Sequence, residues 1–188
     1  MEIDDAIVQL GAKLDAWLDG NLATISTMDR AAQFKALLSG IEISNELDRL
    51  KVKGLAAIAA LLNCQDAVTE DERVATLVRG FEFGSKLACT LHDELLDVSG
   101  ETKVLRLVKA IVDRLDTIGS GRAALVVLLD HPDATVRAHA GASLLRLMPD
   151  RVVPILRDIE EKERGNSAHF TAYNAILYWK HEGKPGKG

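Results

Sequence analysis

The sequence predicts an all-α fold, arranged as a curved bundle or solenoid of about eight or nine helices. Three observations carry that prediction. Apolar residues recur at three- and four-residue steps from one end of the chain to the other. No segment holds a period of two between turn residues, so no sheet is expected. Polar capping residues stand where helices would start, followed three residues later by an acid in the clearest cases. The chain has 188 residues, 47% apolar and 27% charged. That mix excludes a disordered chain, a collagen and a disulfide scaffold, and the length suits one domain.

The elements follow in order. Ile3, Ile7, Leu10, Leu14 and Leu18 place an amphipathic helix at 4–19, stopped by Gly20. Ser26 and Asp29 form a variant capping box opening a helix through Phe34, Leu37 and Leu38, which Ser39-Gly40 breaks or bends. From Ile43, Leu47, Leu50 and Leu55 keep helical spacing, with Gly54 as a kink or close-packing point. Leu55 to Leu62 is Ala-rich and reads as a short, tightly packed helix. Thr69 and Glu72 form the clearest capping box. They open a helix carrying Val74, Leu77, Val78, Phe81, Leu87, Leu91 and Leu95, ended by Ser99-Gly100. Val104, Val108, Ile111, Val112 and Leu115 line the next, at 101–117.

Gly119-Ser120-Gly121 connects tightly to a short helix at 122–129. His131-Pro132-Asp133 then turns the chain into a helix with Val136, Ala140, Leu144 and Leu145 on one stripe. Pro149-Asp150 makes a second abrupt turn, before 152–163 with Ile155, Leu156 and Ile159. Asn166-Ser167 caps a last helix reaching to near Lys180. Residues 183–188 have nothing to bury and are expected to be disordered. The expectation is one domain over 1–182, with N-terminal helices in 1–99 and a second half in 100–182.

The longest uninterrupted apolar run, Leu55 to Leu62, is far short of the roughly 20 residues that span a bilayer. Residues 1–20 alternate acids with apolar residues and lack a basic-then-apolar leader. Cys64 and Cys89 read as reduced, buried small hydrophobes. A cytoplasmic location with no membrane contact is therefore expected. Net charge is −5, with 17 acids and 9 bases in residues 1–100 but 11 acids and 14 bases in 101–188. An acidic half disfavours a grip on nucleic acid and suits a basic protein partner. Solvated helix faces would give the same imbalance.

The turn residues carry a resemblance. Leu129-Asp130-His131-Pro132-Asp133-Ala134-Thr135-Val136-Arg137, followed by 138–145, resembles a HEAT-type repeat. Pro132 stops one helix, Asp133 can cap the next, and Val136 plugs between the two. Ala138, Ala140 and Ala142 let backbones approach, and Arg137 sits within reach of exposed carbonyls. One such unit cannot bury its own face, so neighbours must stack on it. No second clean copy occurs in the earlier helices. With Ala124-Leu125, Met148-Pro149, Ile155, Ile159 and the closing Leu177-Tyr178-Trp179, the stretch 100–182 is similar to a bacterial family of small HEAT-like proteins known only as a domain of unknown function.

Glu160-Glu161-Lys162-Glu163-Arg164-Gly165-Asn166-Ser167-Ala168-His169-Phe170 looks like the subgroup associated with polymorphic, Rhs-type toxins. The resemblance implies an immunity protein that binds and neutralises its cognate toxin, without catalytic residues or cofactor. A general scaffold or regulatory interaction protein is the alternative. A HEAT-like nucleic-acid-binding enzyme similar to the DNA glycosylases is a more distant one; Arg106, Lys109, Arg114 and Arg122 would supply its local basic patch.

Catalytic and metal constellations are not expected. His92-Asp93 is a doublet that could share a metal, but His131, His139 and His169 supply no ligand spacing beside it. Neither cysteine has an adjacent activating base, and Gly119-Ser120-Gly121 is too short for a phosphate loop. Binding candidates are stronger. Phe170, Tyr173, Tyr178 and Trp179 are four of the chain's eight aromatics. At about 100° per residue, Phe170, Tyr173, Ile176 and Leu177 share one face and Trp179 points roughly opposite, where it either packs on a preceding helix or under the tail or meets a partner. Tyr178 and Trp179 are thus candidate anchors for a partner. Glu70, Asp71 and Glu72 suit the dipole of a helix start whatever the function. Glu82, Asp93, Glu94 and Asp97 extend the charge along the helix and are the candidate contacts to a basic toxin. Reversing Glu82 and Asp93 together is expected to weaken binding with little loss of fold.

Overall fold

A computed structural model describes residues 48–62 and 69–182, with Gln9, Ala12, Lys13, Ala16, Gly20 and Glu46 besides. The predicted helix at 26–38, Cys64 and the tail 183–188 lie outside the described residues. Gln9, Ala12, Lys13 and Ala16 are helical, and so is Gly20, where the spacing predicts a stop. Among the described residues there is no strand, and the protein is all-α. None of the described helices is long and apolar enough to cross a membrane.

Packing divides the chain into two compact units, Met1–Ala57 and Ile58–Gly188. The helices Glu70–Asp93 and Val98–Leu115 make the most extensive helix pair among those described. The second unit contains α1 (Glu70–Asp93), α2 (Val98–Leu115), α3 (Gly121–Val127), a 3-10 turn (Leu128–Asp130), α4 (Ala134–Leu144), α5 (Pro149–Lys162) and α6 (Ser167–Glu182).

α1 starts on the predicted capping box. Glu72 N–H donates to Thr69 Oγ1 at 3.2 Å, and Thr69 N–H donates to Glu72 Oε2 at 3.1 Å. Its inward face carries Val74, Leu77, Phe81, Leu87 and Leu91, all buried. Gly80 and Gly84, one turn apart, form a notch in that face. A Cβ on Gly84 would lie 2.6 Å from Val108 Cγ2, and one on Gly80 would lie 3.1 Å from Ile111 Cδ1. The missing side chains let α2 pack closely on α1. Gly84→Ala is expected to cost about 2 kcal/mol by overpacking, which thermal unfolding would register.

The end of α1 departs from the sequence reading. Ser99-Gly100 does not stop this helix; both residues lie in the first turn of α2. Leu96 adopts a left-handed φ of 51° and closes α1. Asp97 then caps α2, accepting from Gly100 N–H at 2.9 Å. Gly100 is small because a Cβ there would meet the Asp97 carboxylate at 2.7 Å. Gly121 has a similar reason: its Cβ would fall 2.1 Å from the Leu115 carbonyl oxygen.

The His131-Pro132-Asp133 turn has the expected chemistry. Asp133 accepts from the N–H groups of Thr135 at 2.8 Å and Val136 at 3.3 Å. Arg137 donates to the carbonyls of His131 at 2.7 Å and Pro132 at 2.8 Å. Val136, Ala138 and Ala140 are fully buried. Ala142 is exposed, and Gly141 supplies the close approach instead, with Leu156 Cδ2 only 2.8 Å from where its Cβ would be. Pro149 opens α5 at a position that needs no N–H donor. α6 lies on α4 and α5 and also touches α1.

Candidate functional site: the outer face of the last helix

α6 is held at its N-terminus by two acceptors from different parts of the chain. Asn166 Oδ1 accepts from His169 N–H at 3.0 Å. Asp93, at the end of α1, accepts from Ser167 N–H at 2.9 and 3.0 Å and from Ser167 Oγ at 3.2 Å. A carboxylate at this position satisfies an orphan amide and suits the positive helix end. Cys89 Sγ donates to the same carboxylate at 3.1 Å. Burial, as the largest cause, pushes the Cys89 thiol up to about 11, so it stays neutral as a donor. Cys89 is a free thiol, half-buried rather than fully so.

The inward face of α6 combines small residues at its start with larger ones further along. Ala168, Ala172 and Ile176 are buried, and at 100° per residue they share a side with half-buried Trp179. Phe170 and Tyr173 are 47% and 44% exposed, with half-buried Leu177 between them on the outer side. The stripe is therefore split, with Ile176 buried while Phe170 and Tyr173 are exposed. The aromatic stripe faces out, and Trp179 belongs to the packed side. The Ala168–Ala172 spacing marks the face that approaches α4 and α5; it is the sequence signal for this orientation, and the larger aromatics obscure it. Tyr178 is 66% exposed, as a candidate anchor should be.

The outward aromatics form an ordered cluster. His169 meets Phe170 edge to face, with ring centroids 5.2 Å apart at 81°. It stacks on Tyr173 at 6.4 Å and 6°. His169 Nδ1 lies 2.8 Å from the Glu160 carbonyl oxygen, to which it donates. Both ring geometries are those that aromatic quadrupoles favour. Phe170 and Tyr173 are thus buttressed from α5 before any partner arrives, which lowers the entropy lost on binding.

The acidic candidates do not gather into one surface. Asp93 is engaged inside the fold, and Asp97 caps α2. Glu94 is exposed at the end of α1, while Glu82 is half-buried three turns earlier. His92 and His131 are similarly occupied. His92 Nδ1 lies 2.8 Å from Glu101 Oε2, which raises the His92 pKa. His131 Nδ1 accepts from Asp133 N–H at 3.0 Å. Among the described residues no group of three or more His, Cys, Asp or Glu could hold a metal ion. The basic patch is interleaved with acids: Lys109 pairs with Asp113 at 2.9 Å and Arg122 with Asp116 at 2.8 Å.

A groove of about 470 Å³ runs between α2 and α4, lined in part by Val108, Val112, Lys109, His139 and Ser143. His139 Nδ1 is buried there without a partner. Burial pushes the His139 pKa down to about 4 from the ordinary 6.5, outweighing the opposing pull of Asp133. Between those two values the unfolded chain takes up a proton that the folded chain refuses. Stability is therefore expected to fall as pH drops from about 6.5 to about 4. Denaturant titrations across that window would show the slope, and His139→Phe should flatten it.

No family model, curated protein or solved structure matches this chain.

Proposed function

We propose that this chain is a non-catalytic, cytoplasmic protein-binding module that grips its partner with the outer face of α6. The observation that carries the reading is the buttressed pair Phe170 and Tyr173, two large aromatics left 47% and 44% exposed while Ala168, Ala172 and Ile176 occupy the packed side. Exposed, preorganised aromatics are the residues that most often dominate binding energy at protein interfaces. In this reading the partner is a bacterial toxin, neutralised by direct contact; the support is the resemblance of residues 160–170 to the toxin-associated subgroup.

A HEAT-like arrangement of the second unit belongs to the same proposal. Its support is the turn chemistry at Pro132 and Asp133, the buried plug Val136 and the Arg137 bonds across the turn. Glu94, which caps α1 through its backbone alone and is exposed, is the acidic candidate best placed to meet a basic partner.

Co-expression with the reading frame adjacent to the gene tests the proposal. The expected result is survival of an otherwise toxic product together with a stoichiometric complex. Survival without a complex would contradict binding as the mechanism. A harmless neighbour would contradict the toxin as partner.

A further inference from the structure

Leu96 combines two properties that its own fold does not explain. Its φ of 51° is the one positive value at a non-glycine residue among those described, and its side chain is 81% exposed. Left-handed backbone strains any residue with a Cβ, and glycine would hold the same turn freely. The turn is made by the backbone alone. Leu96 N–H donates to the His92 carbonyl at 3.2 Å, and Asp97 N–H donates to the Leu91 carbonyl at 2.7 Å. The leucine side chain returns little packing for the strain. Two residues on, Val98 is 60% exposed. One exposed apolar residue is ordinary, but a strained one beside a second points to use by another molecule.

We propose that Leu96 and Val98 form the apolar centre of a second contact surface, which receives a basic amphipathic helix of a partner protein. The charge around the corner selects that occupant. Exposed Glu94 precedes Leu96, and the Asp97 cap carboxylate lies between the two apolar residues. His92, the cation at the end of α1, is already paired with Glu101, and the next cation, Lys103, stands further along α2. Apolar residues of the helix cover Leu96 and Val98 while its lysines and arginines meet the acids. This surface does not depend on the α6 face, and it shares only Glu94 with the proposed function.

The test uses the full isotope-labelled chain and a short synthetic helix with leucine on one face and lysine on the other. Amide shifts should centre on residues 94–99 and weaken with salt. Leu96→Gly should weaken binding about tenfold and raise the melting temperature by about 2 °C. Phe170→Ala should leave this binding unchanged. Shifts centred elsewhere, or unchanged affinity in Leu96→Gly, would overturn the proposal. A fall in melting temperature would overturn it too, because it would show that Leu96 serves its own fold. Failure of the α6 reading, by contrast, would appear only with the natural partner.

Discussion

Replacing Asp93 by alanine is expected to cost about 3 kcal/mol of stability, seen as a fall of roughly 10 °C in melting temperature. The carboxylate accepts from Ser167 N–H and Oγ and from the Cys89 thiol, joining residues 74 positions apart in sequence. Ser167 is buried, so losing the acceptor leaves its amide without water to replace it. Hydrogen bonds to an ionised group are the stronger kind, and the start of α6 also loses a negative charge. Asp93→Asn keeps an acceptor oxygen and should lose less than half as much. Equal losses in both variants would show that the carboxylate charge contributes little. The joint reversal of Glu82 and Asp93 is therefore unsuitable as a binding test, since lysine at 93 would oppose the helix end. Glu94→Lys is the cleaner probe of the acidic side.

The second large effect concerns binding. Phe170→Ala and Tyr173→Ala are each expected to weaken the partner complex by about 2 kcal/mol, or about thirtyfold. Neither should move the melting temperature by more than about 2 °C, because surface substitutions change stability little. Their effects should not add independently, since both rings contact His169. Trp179→Ala should do the reverse, losing about 2 kcal/mol of stability by vacating the packed side of α6. Isothermal titration and thermal unfolding of the same three variants separate the two roles. A destabilised Phe170 variant with unchanged affinity would return that ring to the core.

Local chemistry made much of the fold legible. The Thr69–Glu72 box, the Pro132–Asp133 turn and the Asn166 cap each depend on side chains within a few residues of the amides they serve. The end of α1 was less accessible, because Leu96 occupies a left-handed position where glycine is the usual signal. Gly100 drew the boundary four residues too far along, although it is kept small by the Asp97 carboxylate. The site was legible only in part. Periodicity groups Phe170 with Tyr173 and separates Trp179, but it cannot say which group faces inward. That choice depends on α4 and α5, whose close approach selects Ala168 and Ala172. Asp93 was hidden for the same reason: its partner Ser167 is distant in sequence.

The most direct measurement is the affinity of the purified chain for the product of the adjacent reading frame, taken with and without Phe170→Ala and Tyr173→Ala together. The account predicts a tight stoichiometric complex with the native chain. The double variant should lose at least about a hundredfold in affinity, keep its fold and fail to protect cells. Undiminished binding by a folded double variant would contradict the assignment of the α6 face.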